Sequence, residues 1–342
     1  MNRWTRQAAA RLAAWFGAAP LLDAQQPTLI GEPPGRIAPA GELVNTYEFA
    51  AMAERRIGAA TFGLVADGER GGFDRITLRP RMMVNAQGLD LTTELFGERM
   101  FAPILAGPVA GLARFHAEGD RAMAQGAAAA QTTLVVSSRS SVRFEEIAAQ
   151  TKGSLWLQVY PEPDAAAVRA RVDRAVAAGC KAVCVTVGGP EAGGADWKGL
   201  AALRQALGRT PVLLKGVMTP EDAREAAANG FSGVVVSNPG RLQGTAQAID
   251  VLPAVADGIG GKIPILIDGG FRRGTDVLKA LALGARAVLA ARPAVWGLAA
   301  YGAPGVETLF RLLQNELARN MAMCGKVTLA DLDRSLVRIH RR

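Results

Sequence analysis

The 342-residue chain is poor in several things, and each shortage narrows what it can be. It has no run of 18 apolar residues, so no membrane-spanning helix is expected. Its three cysteines, Cys180, Cys184 and Cys324, are odd in number, and their one close spacing, Cys-x-x-x-Cys, is not a metal-type pairing. That spacing falls in an apolar run that reads as a strand, where residues four apart share a face. The two thiols are therefore expected in a core, and no metal site is expected. Histidine is scarcer still, with His116 and His340 alone. The net charge of +8 is spread along the chain apart from a basic tail, SLVRIHRR. A basic surface attracts anionic ligands, but no basic, aromatic-studded segment is present, so nucleic acid is not expected as a partner.

What is there suits a globular protein: 49% hydrophobic and 20% charged residues supply one large core or two modest ones. Within residues 1–26, Arg3 and Arg6 precede an Ala/Leu/Trp/Phe segment ending in small residues, the outline of a secretory leader. Arg11 interrupts the apolar part and no twin arginine is present, so two readings stand: an exported protein with a leader, or a cytoplasmic one with an ordinary N-terminal helix or loose segment. Residues 27–42 read as a Pro/Gly-rich linker, and the main domain as 43–342, opening with helical spacing in ELVNTYEFAAMAERRI. From there, short apolar, β-branched runs alternate with Ala/Leu/Arg-rich helical stretches. The runs are ILAGP (104–108), TLVVSS (133–138), LWLQVY (155–160), AVCVTV (182–187), VLLKG (212–216), VVVSN (234–238), ILIDGG (265–270) and AVLAAR (287–292). Near-continuous apolar strands between helices imply parallel pairing buried on both faces. Eight of them predict a closed α/β (β/α)8 barrel with an N-terminal helical extension, the alternative being an open doubly wound sheet.

In such a barrel chemistry collects where strands end. Gln158 and Tyr160 lie two apart on one face near the end of the third run, Thr186 ends the fourth and Lys215 the fifth. A lysine among apolar residues is costly to bury without an anionic or electron-rich partner. The seventh and eighth units, ILIDGGFRRGTD and AVLAARPAVWG, combine glycines with Arg272 and Arg292 beside predicted helix N-termini. There backbone N–H groups and the helix dipole favour a phosphate.

The segments PVLLKGVMTPEDAREAAANGFSGVVVSN and IPILIDGGFRRGTDVLKALALGARAVLAARPAVW resemble the FMN-dependent α-hydroxy-acid dehydrogenase/oxidase family. The likeness extends back through PILAGPVAGLARFHAEGD, TTLVVSSRSSVRFEEIA and LWLQVY to the helix near residues 43–58. The resemblance implies bound FMN touching Ala110, Ser137, Gln158, Thr186, Lys215 and Ser237. The Asp268–Gly269–Gly270 turn, Arg272, Ala291 and Arg292 would complete the flavin site, with the arginines at its phosphate. It implies a lysine near the flavin that stabilises the reduced ring's negative charge, a small 2-hydroxy-acid substrate, and a homo-oligomer, tetrameric by resemblance; the electron acceptor is left open.

The chain departs from the family where proton transfer is concerned. The family's histidine base, which follows the strand corresponding to VVVSN, falls on Pro239, which has neither a titratable group nor a backbone donor. The aspartate that orients that histidine falls on Gly188, and the first substrate-contacting tyrosine on Leu64. Tyr160 remains, and Arg241 follows in a loop shortened by about two residues against the family pattern, so Tyr160, Lys215 and Arg241 are the catalytic candidates. His116 is expected to be structural, since the family also carries a histidine at that helix start, and His340 solvated. Three readings follow: an FMN-dependent oxidoreductase working without the family's base, an FMN-binding protein without dehydrogenase activity in a binding or regulatory role, and non-redox chemistry on FMN.

Overall fold

A run of apolar, β-branched residues is stable as a strand only where both of its faces are covered. All eight such runs form strands of one closed barrel in the computed structural model, which describes residues 35–66, 70–81, 83–189, 195–238 and 246–340. Ahead of the barrel come helices α1 (Thr46–Ala66) and α2 (Gly71–Asp74), strand β1 (Ile76–Leu78) and a hairpin of β2 (Thr93–Leu95) and β3 (Glu98–Met100). The barrel itself alternates β4 (Ile104–Ala106), α3 (Gly119–Ala129), β5 (Leu134–Ser137), α4 (Phe144–Gln150), β6 (Leu155–Val159), α5 (Ala165–Ala177), β7 (Val183–Thr186) and α6 (Trp197–Ala206). It continues with β8 (Val212–Val217), α7 (Pro220–Ala228), β9 (Gly233–Val236), α8 (Ala248–Ile259), β10 (Ile265–Asp268), α9 (Gly274–Ala282), β11 (Ala287–Ala290) and α10 (Arg292–Met323), and β12 (Val337–Ile339) ends the series. Successive barrel strands pair in parallel, and β11 closes the ring on β4 through Val288–Ile104, Leu289–Leu105 and Ala290–Ala106, which excludes the open sheet. Residues 38–342 make up one unit and 1–37 another, of which only 35–37 are described. The leader read at 1–26 and the linker as far as residue 34 lie outside the described residues.

Inside the ring, each strand contributes one residue to a buried apolar tier: Leu105, Val135, Trp156, Cys184, Leu213, Val235, Leu266 and Leu289. The hairpin stops the end of the barrel where the strands begin. Phe96 and Gly97 take left-handed φ values of 56° and 77°, which fold β2 back onto β3 in two residues. Leu95, Met100 and Phe96 then pack on the tier, the Phe96 ring 5.7 Å from that of Trp156, whose indole N–H donates to Glu98 (3.2 Å). Phe96 also lies against Gly233, the first residue of β9, where an added Cβ would come within 3.3 Å of its ring.

Local details depart from the sequence reading. The opening helix starts at Thr46 because the side chain of Asn45 accepts from the N–H groups of Tyr47 (3.0 Å) and Glu48 (3.3 Å), a cap that stops the helix extending back to residue 43. It then runs past the expected end to Ala66 through a break at Gly58 (φ 77°). Cys180 precedes β7 and does not share its face with Cys184, yet both are buried, Cys180 by donating to the Ala182 carbonyl at 3.2 Å. The basic tail forms β12, antiparallel to β1, and His340 is exposed as expected while held in place: its N–H donates to the Arg75 carbonyl (2.8 Å) and its Nε2 lies 2.9 Å from Thr77 Oγ1.

Truncating the stopper tests its contribution: Leu95→Ala removes a side chain only 3% exposed and is expected to cost about 2–4 kcal/mol of unfolding free energy in urea titration. An unchanged midpoint would mean that the hairpin is not part of the barrel core.

Candidate active site

Side chains alternate across a strand, so the residue two beyond each member of the apolar tier points the same way, into the barrel and toward its other end. Counting two from Val135, Trp156, Cys184, Leu213, Val235 and Leu266 gives Ser137, Gln158, Thr186, Lys215, Ser237 and Asp268; from Leu105 and Leu289 it gives Gly107 and Ala291. The sequence change from apolar to polar at the strand ends thus becomes a polar ring seated on an apolar floor. These six polar residues line one cavity of about 280 Å³, together with Ala110, Tyr160, Gly269, Ala291 and Arg292. Leu64, Val65, Pro108, Val109 and Asn238 also line it.

The ring is held by its own hydrogen bonds. Ser137 Oγ donates to Gln158 Oε1 (3.0 Å), and Gln158 Nε2 to the Val159 carbonyl (3.1 Å). Lys215 Nζ donates to Ser237 Oγ at 2.9 Å and pairs with Asp268 Oδ2 at 2.9 Å, so the buried cation has the partners that burial demands. Lys215 is not the end of its strand: β8 continues to Val217 through a register shift between the two. Gly216 makes that shift possible with φ 116°, and a Cβ there would sit 2.2 Å from the Val187 carbonyl oxygen.

Two observations show that the site suits a bound group. Thr186 Oγ1 is buried with no hydrogen-bond partner among the described residues, a vacancy worth about 1–3 kcal/mol if left unfilled. At the side of the mouth where β10 and β11 end, Gly269 (φ 118°), Gly270 (φ 81°), Arg272, Ala291 and Arg292 form a cleft continuous with the cavity, a cradle suited to a phosphate. Arg272 is fixed 4.4 Å over the Trp296 ring, with Nη1 donating to the Phe271 carbonyl (2.8 Å).

One expectation about this cradle needs correction. The N-terminus of α9 is not open to an anion: the N–H groups of Arg272 and Arg273 both donate to Asp276 (2.9 Å), and that of Gly274 to Glu316 (2.7 Å). Burial pushes the Asp276 carboxyl above the usual carboxylate range, against the opposing pull of Arg70. The N-terminus of α10, by contrast, carries no side-chain cap at Ala291, so it is the helix start left to serve the cleft.

The remaining sequence candidates divide. Pro239 and Arg241 lie outside the described residues. Gly188 is exposed just past β7 with φ 79°. Neither histidine lines the cavity: His116 accepts from the Glu118 N–H ahead of α3, and His340 is in the tail. Val65 reaches the cavity because Trp296 of α10 donates to its carbonyl (3.1 Å), drawing the end of α1 over the mouth; nothing in the local sequence pattern signals that contact.

A (β/α)8 barrel with a polar cavity at the strand ends and a glycine–arginine cleft after its seventh and eighth strands suits an enzyme that holds a phosphate-bearing cofactor. Comparisons agree. The family model for FMN-dependent dehydrogenase matches residues 55–194 and 190–339. An L-lactate oxidase from Nostoc sp. is 34% identical over 86% of this chain and 98% of its own length, and glycolate oxidase 1 from Zea mays is 34% identical over 86% and 95%. The crystal structure of a mandelate oxidase with (S)-2-phenylpropionate superposes with a TM-score of 0.83 at 32% identity, covering 88% of this chain and 100% of that one. The chain belongs to the FMN-dependent dehydrogenase family, a family of oxidoreductases, and its cofactor is FMN. Among the described residues no helix is long and apolar enough to cross a membrane.

Cys184 lies in the floor directly beneath this site and is fully buried. Burial pushes its thiol up to about 12, a rise that nearby Lys215 only partly offsets. Cys180 is raised to about 12 by the same cause. At pH 8 neither thiol is expected to react with a disulfide reagent in the native protein, and both should react on denaturation. Rapid native labelling at either position would refute the buried placement.

Proposed function

We propose that the protein is an FMN-dependent oxidoreductase that oxidises a 2-hydroxy acid or a related small substrate by a route that does not use the family's base. The observation that carries it is the polar ring in one cavity with the phosphate cradle at its edge. In this reading Ala110, Ser137, Gln158, Thr186, Lys215 and Ser237 hold the flavin ring, and Thr186 Oγ1 finds its partner there. Asp268, Gly269, Gly270, Arg272, Ala291 and Arg292 hold the phosphate end. FMN, when bound, would supply the two-electron acceptor for oxidation of a 2-hydroxy acid to the 2-oxo acid, the carbon-bound hydrogen leaving with two electrons and the hydroxyl proton passing to solvent.

This chain's own contribution is electrostatic and geometric. Lys215 offers a fixed positive charge, held in place by Asp268 and Ser237, to the charge that develops on reduction. Tyr160 at the cavity wall and Arg241, which follows VVVSN in the sequence, are the groups retained for the substrate. Proline at 239 cannot accept a proton, and loss of a positioned base typically lowers rates by about 10²–10⁴-fold. A second reading, an FMN-binding protein without dehydrogenase activity, is favoured by the joint replacements at Pro239, Gly188 and Leu64. Residues 43–342 are taken as the FMN-binding unit and 1–26 as a leader, and a homotetramer is proposed by family resemblance.

Two measurements test this. The protein is expected to purify yellow with releasable FMN, and Lys215→Met to lower the flavin reduction potential by about 30–60 mV, the two-electron equivalent of losing one charged hydrogen bond. A colourless protein that fails to take up FMN refutes the reading; an unchanged potential removes Lys215 from the ring. For the missing base, anaerobic flavin bleaching by lactate, glycolate or mandelate should be slow in the parent. It should stay slow in Pro239→His, where the ring has no carboxylate to orient it, and rise when Gly188→Asp is added, with non-additive effects. Fast bleaching by the unmodified protein would show that another group serves as base.

A further inference from the structure

Below the apolar tier the barrel has another level of inward positions, which take no part in the cavity at the strand ends. Counting two back from the tier reaches proline, alanine or glycine on six of the strands. On the adjacent β5 and β6 it reaches Thr133 and Ser154 instead. Both hydroxyls lack a partner. Ser154 Oγ is buried without a hydrogen bond, and the side chain of Thr133, a residue 3% exposed, forms none among the described residues. Buried polar groups are ordinarily satisfied, so two neighbouring exceptions mark a place where something else is met.

The two residues open into a cavity of about 470 Å³ at the end where the strands begin, beside the hairpin, lined also by Arg99, Met100, Phe101 and Lys152. It shares no lining residue with the cavity at the strand ends. Arg99 and Lys152 are exposed, and neither forms an ion pair among the described residues. Glu94, the cross-strand neighbour of Arg99, and Asp90, which feels its charge, do not pair with it. The carboxylate on the cavity wall, Glu98, is engaged by the Trp156 indole N–H. Two cations and unpartnered hydroxyls suit the several oxygens of a phosphate group, while Met100 and Phe101, the latter 47% exposed, offer an apolar side. The volume is that of a small-molecule site.

We propose that this cavity binds a phosphate monoester with a small apolar body, at a site separate from the flavin's. Arg99, Lys152 and the hydroxyls of Thr133 and Ser154 take the phosphate, and Phe101 covers the organic part.

The test is calorimetric titration of the full chain, saturated with FMN so that the phosphate cleft is filled, with phenyl phosphate as the probe and inorganic phosphate and phenol as its two halves. Saturable binding of phenyl phosphate is expected, about threefold weaker in Arg99→Gln or Lys152→Gln and about tenfold weaker in the double variant, as exposed cations allow. Thr133→Val is expected to weaken it about threefold while leaving the urea midpoint unchanged or higher, because the hydroxyl removed has no partner in the protein. None of these residues lines the flavin cavity, so the comparison of parent with variant holds with or without FMN, and failure to take up FMN counts against the oxidoreductase reading alone. No saturable binding up to about 10 mM, a double variant that binds as the parent does, or either half bound as tightly as the whole overturns the site.

Discussion

Closure of a parallel sheet on itself is the constraint from which the rest of this structure follows. Once β11 pairs with β4, every strand has an inside, and the two-residue alternation of side chains allots each inward position to a level. The floor is apolar, and the one polar handle in it, the Trp156 indole N–H, is taken up by Glu98 of the hairpin below. The next level opens to the mouth, and there polar side chains can satisfy one another. Ser137, Gln158, Thr186, Lys215, Ser237 and Asp268 owe their common cavity to that count and to no other shared feature.

The Lys215–Asp268 pair shows how narrow the tolerance is. It spans from β8 to β10 across β9, and Ser237 of the intervening strand end takes a further hydrogen bond from the same ammonium. Burying two charges is repaid only when geometry and additional hydrogen bonds are good, and here the Ser237 hydroxyl supplies the additional hydrogen bond. A nearly charge-neutral centre results, so a negative charge on a bound molecule is met away from it, at the arginines of the phosphate cleft.

Much of this was legible in the sequence because double-sided burial leaves unbroken apolar runs, and a polar residue ending such a run has few places to go. The eight strands, the polar ring and the glycine–arginine turns could all be read that way. What could not be read depends on contacts between distant segments or on patterns too short to register. The three-residue strands of the β2–β3 hairpin, TEL and ERM, carry no usable periodicity, and neither does β12. The carboxylates that occupy the start of α9 come partly from Glu316, 42 residues from the N–H it accepts from, so a helix start that looked open to phosphate is filled. The stacking of Arg139 on Tyr160 joins two different loops, and no local motif announces it.

The hairpin stopper has a kinetic consequence. With Phe96, Leu95 and Met100 seated under the apolar tier, the barrel is a blind tube, open where the strands end and sealed where they begin. Whatever reaches the cavity must leave by the way it came. Entry and departure share that one mouth, so a bound molecule that fills it blocks exchange until it leaves.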